Sequence, residues 1–192
     1  MPHFTFHGFR YAAVEGIENP RPEMFTACVM HSDMRKTGEF HCSNEKVNQL
    51  QSNISWSLRD NFFDIPSDCP QRDERLGWMG DAQVFSWTAA FNRETALFFT
   101  KWMRDVSAAS SLERGVPHIV PDIQETYSSA AWSDAAVIIP WVVYQTYGDT
   151  RILEESWKCM HEWVDYIHNH VNENGLWMTC LLYTSPSPRD TR

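Results

Sequence analysis

Apolar residues recur every three or four positions through most of the sequence after Ser43, which is the period of helices that bury one face. Ser43 can cap the first such segment. The apolar positions of four segments are Val47, Leu50, Ile54 and Leu58; Val84, Phe85, Thr88 and Phe91; Phe98, Phe99, Trp102, Met103 and Val106; and Leu153, Trp157, Met160, Val164, Ile167 and Val171. No alternating pattern interrupts them, so the sequence predicts a mainly α fold from this point on.

Irregular stretches with proline and glycine separate these segments. The first precedes the second helix, which Asp81 is predicted to cap, and the second runs from about position 108 to 131. A very apolar helix then begins at Ser133 or Asp134 and ends before Gly148, which is expected to close it. Loops longer than about 12–15 residues in a compact domain are usually functional, so both stretches are candidate site loops.

The first 31 residues follow a different pattern. Phe4 to Tyr11 alternates aromatic with polar or small residues, and Phe25 to His31 reads as a second strand after a turn around Pro20 and Pro22. Two strands alone are only marginally stable in water. They are therefore interpreted as the last strands of a β domain.

Composition excludes several classes of protein. Hydrophobic residues make up 43% of the chain and aromatic residues 14%, which is too much for a disordered protein. The net charge of −9 and the lack of a basic cluster argue against a nucleic-acid partner. No apolar run is long enough to span a membrane.

Metal and cofactor motifs are also missing from the sequence. The five cysteines form no C-x-x-C pair, and no phosphate-binding glycine loop or nucleophile elbow is present. His161, His168 and His170, with Asp165 between them, are interpreted as a solvated helix face. Neither a cofactor nor a metal is expected.

The loop from Asp64 to Asp81 concentrates acids and arginines beside Trp78, on a path that prolines and glycines keep non-helical. Sugar hydrolysis needs one carboxylic acid to protonate the leaving oxygen and a second carboxylate to activate water or attack. Glu74 has acidic neighbours and an apolar wall in Trp78. Arg72 and Arg75 oppose its protonation if they pair with it, and favour it if they pair with the aspartates. A salt-bridged loop without chemistry is the alternative.

The string from Asp68 to Arg75, followed by Gly77-Trp78 and Gly80-Asp81, resembles the signature of the bacterial α-L-rhamnosidases, glycoside hydrolase family 78. The resemblance extends from about residue 3 to residue 175. Its other parts are His7 to Tyr11, His31 to Asp33, Thr37 to Phe40, Trp132 to Ala135, Pro140-Trp141 and Tyr147 to Asp149.

This resemblance implies an (α/α)6 six-hairpin catalytic barrel preceded by a β-sandwich, and hydrolysis of terminal α-L-rhamnosides with inversion. Glu74 is implied as the general acid. The residues implied to bind the rhamnose are Asp68, Arg72, Trp78, Asp81, Trp132 and Asp134. The partner is then a rhamnose-containing glycoside or polysaccharide.

The resemblance also implies domain limits and a missing group. Residues 1–31 correspond to the end of the sandwich and residues 32–179 to the first part of the barrel, while residues 180–192 resemble a non-native, adapter-like tail. The family's general base is a glutamate of a later helix, so the chain is expected to be an incomplete and inactive fragment. Two other readings stay open: another (α/α)6 enzyme, such as an unsaturated uronyl hydrolase, or a carbohydrate-binding or scaffold module.

Overall fold

The computed structural model describes residues 5–177, and the predicted tail at residues 180–192 lies outside this range. Within it, the chain forms five α-helices: α1 (Glu45–Asn61), α2 (Met79–Asn92), α3 (Ala96–Ala109), α4 (Ala135–Tyr147) and α5 (Arg151–His170). Strands β1 (Phe62–Phe63) and β2 (Ile65–Pro66) form a tight antiparallel pair after α1, and Pro22–Met24 forms one 3₁₀ turn. The prediction of a mainly α chain is confirmed.

Helix α4 is the centre of the packing, because it contacts α2, α3 and α5, and α3 also packs against α5. The core lies between these helices around Trp102 and Trp163, both almost fully buried. The predicted buried face of α3, from Phe98 to Val106, is confirmed. None of the helices among residues 5–177 is both long and apolar enough to cross a membrane.

The buried faces of two helices differ from the prediction. In α2 the buried arc includes Ala82, Ser86 and Ala89, whereas Val84 and Phe91 are 78% and 64% exposed. Small side chains are buried there because α4 packs against this helix, and small residues let two helix backbones approach closely.

The predicted buried face of α5 is also wrong. The predicted stripe included Trp157 and Val164, which are 63% and 55% exposed. The buried residues are Ile152, Ser156, Cys159 and Trp163, one position earlier along the helix. Since 3.6 residues make one turn, a shift of one position rotates the buried face by about 100°.

The helix ends agree with the predictions only in part. Asn44, not Ser43, caps α1 by accepting from the amide of Lys46 at 3.0 Å. Helix α2 begins at Met79, so Asp81 lies in its first turn and does not cap it. Gly148 ends α4 in the left-handed conformation, with φ of 68°, as predicted.

The two predicted N-terminal strands are not formed in residues 5–44, so that prediction is wrong for the described chain. A strand is stable only when its backbone groups pair with another strand, and none of the described residues offers one here. The segment instead lies against the candidate site loop. The amide of Gly8 donates to the carbonyl of Pro70 at 2.8 Å, and the ring of Phe6 packs 5.2 Å from that of Phe63.

Candidate active site

The loop from Ser67 to Trp78 is closed on itself at Asp68. The backbone amide of Asp68 donates to the carbonyl of Leu76 at 3.0 Å, and the amide of Leu76 donates back to Oδ1 of Asp68 at 2.9 Å. One side chain thus joins the two ends of the charged segment. A side-chain oxygen at this position therefore helps the loop to keep its shape.

The end of the loop is attached to the segment from His118 to Val120. The amide of Val120 donates to the carbonyl of Gly77 at 2.9 Å, and that of Met79 donates to the carbonyl of His118 at 2.8 Å. A side chain on Gly77 would collide with the carbonyl oxygen of Val120. The two long irregular stretches of the sequence therefore meet, with glycine required at their contact.

Glu74 is held by two donors. Nε of Arg72 donates to its Oε2 at 2.8 Å, and the indole Nε1 of Trp78 donates to its Oε1 at 2.9 Å. Arg72 also reaches Oδ2 of Asp68 with Nη2, at 3.4 Å. Four of the predicted site residues, Asp68, Arg72, Glu74 and Trp78, thus form one hydrogen-bonded cluster.

The other arginine of the loop points elsewhere. Arg75 donates to the carbonyl of Phe6 at 2.7 Å and pairs with Asp73 at 3.3 Å. The side chain of Asp73 is fully exposed. The sequence left open which arginine pairs with Glu74. Arg72 pairs with Glu74 and Asp68, whereas Arg75 connects the loop to the N-terminal segment.

A cavity of about 530 Å³ opens beside this cluster, between the end of α1 and the start of α2, and we call it the Trp132 cavity. Asp68, Asp81 and Trp132 line it together, which brings three of the predicted binding residues to one space. Gly80 also lines the cavity and lies close to Trp132: a Cβ on Gly80 would be 3.0 Å from the indole ring. A volume of this size is ample for one monosaccharide.

Asp81 is electrostatically unusual. Desolvation by the surrounding protein is the main effect that raises its pKa, and the negative charges of Asp68 and Glu74 raise it further. A backbone hydrogen bond to the carboxylate is the main effect that lowers the pKa, and the charge of Arg72 lowers it less. A carboxyl with a raised pKa at a cavity wall is a frequent property of functional sites.

Asp134 does not line the Trp132 cavity. Its Oδ2 accepts from the amide of Ala131 at 2.8 Å, and its Oδ1 accepts from the indole of Trp163 at 3.1 Å. These contacts connect Ala131, the residue before Trp132, through Asp134 to the buried Trp163 of the core. In the described chain Asp134 therefore orients the segment that carries Trp132.

Several polar groups around the site were not singled out in the sequence. Asn61 and Gln83 line the Trp132 cavity, and each has a buried side-chain oxygen without a hydrogen-bond partner among residues 5–177. Nε1 of Trp132 is in the same state. His118, whose ring lies 6.4 Å from that of Trp132, is buried, and burial lowers its pKa. They come together because α1, α2 and the segment between α3 and α4 meet at the loop.

Asp68, Cys69 and Glu74 place potential metal-ligand atoms within 4.8 Å of one another. Both carboxylates are already paired with Arg72, and burial raises the pKa of the Cys69 thiol, so that a proton remains on the sulfur. A thiolate is the form that binds metals. The arginine therefore supplies the positive charge that this cluster needs.

Comparisons with known proteins identify the family to which this chain is related. Residues 35–182 match the model of the bacterial α-L-rhamnosidase six-hairpin glycosidase domain, and residues 1–31 match that of the bacterial α-L-rhamnosidase concanavalin-like domain. The chain is 45% identical over 190 residues to an α-L-rhamnosidase of Formosa agariphila and 42% identical over 171 residues to one of Streptomyces avermitilis. These alignments cover 93% and 88% of this chain but only 20% and 17% of the relatives.

Solved structures give the same result. The native α-L-rhamnosidase of Aspergillus terreus superimposes with a TM-score of 0.82 at 45% identity, over 89% of this chain and 20% of that one. The Streptomyces avermitilis α-L-rhamnosidase complexed with L-rhamnose has a TM-score of 0.72 at 39% identity, over 74% of this chain and 14% of that one. The predicted fold, part of a six-hairpin barrel, is confirmed.

Proposed function

We propose that this chain, which belongs to the bacterial α-L-rhamnosidase family, carries the acid side of an active site that hydrolyses terminal α-L-rhamnosides. The observation that supports this most is the fixed position of Glu74, between Arg72 and Trp78, beside a cavity lined by Asp68, Asp81 and Trp132. Residues 1–31 are assigned to the sandwich and residues 32–179 to the first part of the barrel.

Glu74 is proposed as the general acid. A protonated carboxyl oxygen donates a hydrogen bond, and cannot at the same time accept along that direction from Arg72 or Trp78. The proton is carried by one of the two oxygens, and the donor that contacts the other oxygen keeps the carboxyl in place when the glycosidic oxygen arrives. Catalytic hydrogen bonds commonly rearrange in this manner between the free enzyme and the substrate complex.

Recognition of the sugar is proposed to combine acceptors with an aromatic surface. Asp68 and Asp81 accept from hydroxyl groups, and the indole of Trp132 covers the apolar face and the methyl group of the 6-deoxy sugar. Trp78 and Arg72 contribute to sugar binding mainly by positioning other side chains. Trp78 holds Glu74, and Arg72 holds Asp68. The relative solved with L-rhamnose supports this choice of sugar.

The reaction is proposed to invert the anomeric centre. Inversion needs a second carboxylate about 6.5–9.5 Å from the acid, on the opposite face of the ring, to activate water. We propose, from the family resemblance, that this base is a glutamate of a later helix, and we assign no residue of this chain to it. We therefore expect the 192-residue chain to bind rhamnose without hydrolysing rhamnosides.

Ligand binding tests this proposal. Saturation-transfer NMR on the chain with L-rhamnose, D-glucose and D-glucuronate should give a signal for rhamnose that Asp81→Ala removes and Asp73→Ala, a change at an exposed carboxylate of the same loop, leaves intact. No turnover of an aryl α-L-rhamnoside is expected. Preferred binding of glucuronate would instead favour a uronyl hydrolase, and no binding of any sugar would favour a scaffold module.

A further inference from the structure

A second, shallower cavity of about 470 Å³ adjoins the Trp132 cavity, and we call it the outer groove. Its own lining residues are Asn53, Trp56 and Asp60 of α1, with Cys69, Pro70, Gln71 and Arg72 of the loop. Ser57, Asn61 and Asp68 line both spaces and form the boundary between them.

The wall of the outer groove is one face of α1. Asn53, Trp56, Ser57, Asp60 and Asn61 follow one another at the spacing of three and four that places side chains on one side of a helix. Residues of one helix, α1, therefore line both the outer groove and the Trp132 cavity.

The position of the acid relates the two cavities to the reaction. A general acid protonates the oxygen that joins the sugar to its leaving group, so the leaving group lies on the side of the acid. Arg72, whose Nε holds Glu74 at 2.8 Å, lines the outer groove but not the Trp132 cavity. On the proposed function, rhamnose occupies the inner space and the leaving group extends outward past Arg72.

The outer groove has the chemistry of a sugar-binding surface. Trp56 is 46% exposed. The guanidinium of Arg59 lies 5.0 Å from its ring centroid and stabilises the orientation of the indole. An exposed tryptophan is unremarkable alone. Here it adjoins the exposed carboxylate of Asp60, which is an acceptor for hydroxyl groups.

We infer that the outer groove is a leaving-group subsite that takes a neutral pyranose residue attached to the rhamnose, with one face of that residue stacked on Trp56. This inference rests on the proposed function. A neutral sugar is favoured over an acidic one because Asp60 and Asp68 line the groove, while the charge of Arg72 is engaged by Asp68 and Glu74.

The test compares three ligands on the 192-residue chain by titration NMR: methyl α-L-rhamnoside, α-L-rhamnosyl-(1→4)-D-glucose and α-L-rhamnosyl-(1→4)-D-glucuronate. The neutral disaccharide should bind roughly three- to tenfold more tightly than the methyl rhamnoside, in line with the energy of an aromatic contact. The glucuronate disaccharide should lose this advantage.

Substitutions then locate the effect. Trp56→Ala should reduce the affinity for the neutral disaccharide to that for methyl rhamnoside, and Trp56→Phe should keep most of the advantage. Trp157→Ala, at a tryptophan that is 63% exposed on α5, should change neither affinity. Equal affinities for the disaccharide and methyl rhamnoside, or an advantage that survives Trp56→Ala, would overturn the subsite alone. Failure of methyl rhamnoside to bind would overturn the proposed function and the subsite with it.

Discussion

The indole Nε1 of Trp78 lies 2.9 Å from Oε1 of Glu74 and donates a hydrogen bond to it. Trp78 is therefore a positioning residue for the proposed acid. Its effect can be measured in a chimera in which residues 35–177 of this chain replace the matching segment of the Streptomyces avermitilis relative. Trp78→Phe keeps the ring and removes the donor, so kcat should fall about ten- to hundredfold with a smaller change in KM. Trp157→Phe is the matched control, and an unchanged kcat in Trp78→Phe would exclude this role.

Gly77 is expected to be the least replaceable glycine of the site loop. A methyl group there would collide with the backbone carbonyl of Val120, which cannot move aside as a side chain can. Gly77→Ala should lower the free energy of unfolding of the chain by about 3 kcal/mol, measured by urea denaturation followed by circular dichroism. A loss below about 1 kcal/mol would show that the contact between the two loops is dispensable.

Gly80 provides a milder change at the same site. Alanine favours a helix over glycine by up to about 1 kcal/mol, but its Cβ would lie 3.0 Å from the ring of Trp132. Since this indole must shift by a few tenths of an ångström, Gly80→Ala should weaken rhamnose binding severalfold while leaving the unfolding midpoint nearly unchanged. Equal rhamnose affinities in the variant and the parent chain would argue against Trp132 as a binding surface.

Asp81 should make stability depend on pH. Burial raises its pKa in the folded chain above the ordinary value of an aspartate, so folding at neutral pH places a charged carboxylate in a site that disfavours the charge. Asp81→Asn should therefore raise the melting temperature at pH 7, by roughly 1–2 °C. The gain should shrink as pH falls through the folded pKa and vanish below the unfolded one, where both states are protonated. Thermal unfolding between pH 7 and pH 3 measures this, and a gain that grows towards low pH would contradict it.

Helix positions could be predicted from the sequence, but helix faces could not always be. The face of α3 was predicted because its large residues, such as Phe99 and Trp102, are also its buried ones. In α2 the large residue Phe91 is exposed and the small Ala89 is buried, since the close approach of α4 decides which side is covered. The periodicity of a sequence shows which apolar residues share one face of a helix, whereas the neighbouring helix decides which face is buried.

The candidate site shows the same limit. The charged string from Asp68 to Asp81 is dense enough to mark the loop, yet the choice of Arg72 over Arg75 as the partner of Glu74 is a matter of loop geometry. Asn61 and Trp56 belong to a helix whose sequence contains no motif. They join the site only because the last turns of α1 border the loop.

The most direct measurement of the central claim compares leaving groups in the chimera carrying Glu74→Gln. With a methyl α-L-rhamnoside, whose leaving oxygen needs a proton, kcat/KM should fall about a hundred- to ten-thousandfold relative to the unsubstituted chimera. With a 4-nitrophenyl α-L-rhamnoside, whose leaving group departs as a stable anion, the loss should be much smaller. Equal losses for the two substrates, or an unchanged kcat/KM for the methyl rhamnoside, would contradict the assignment of Glu74 as the general acid.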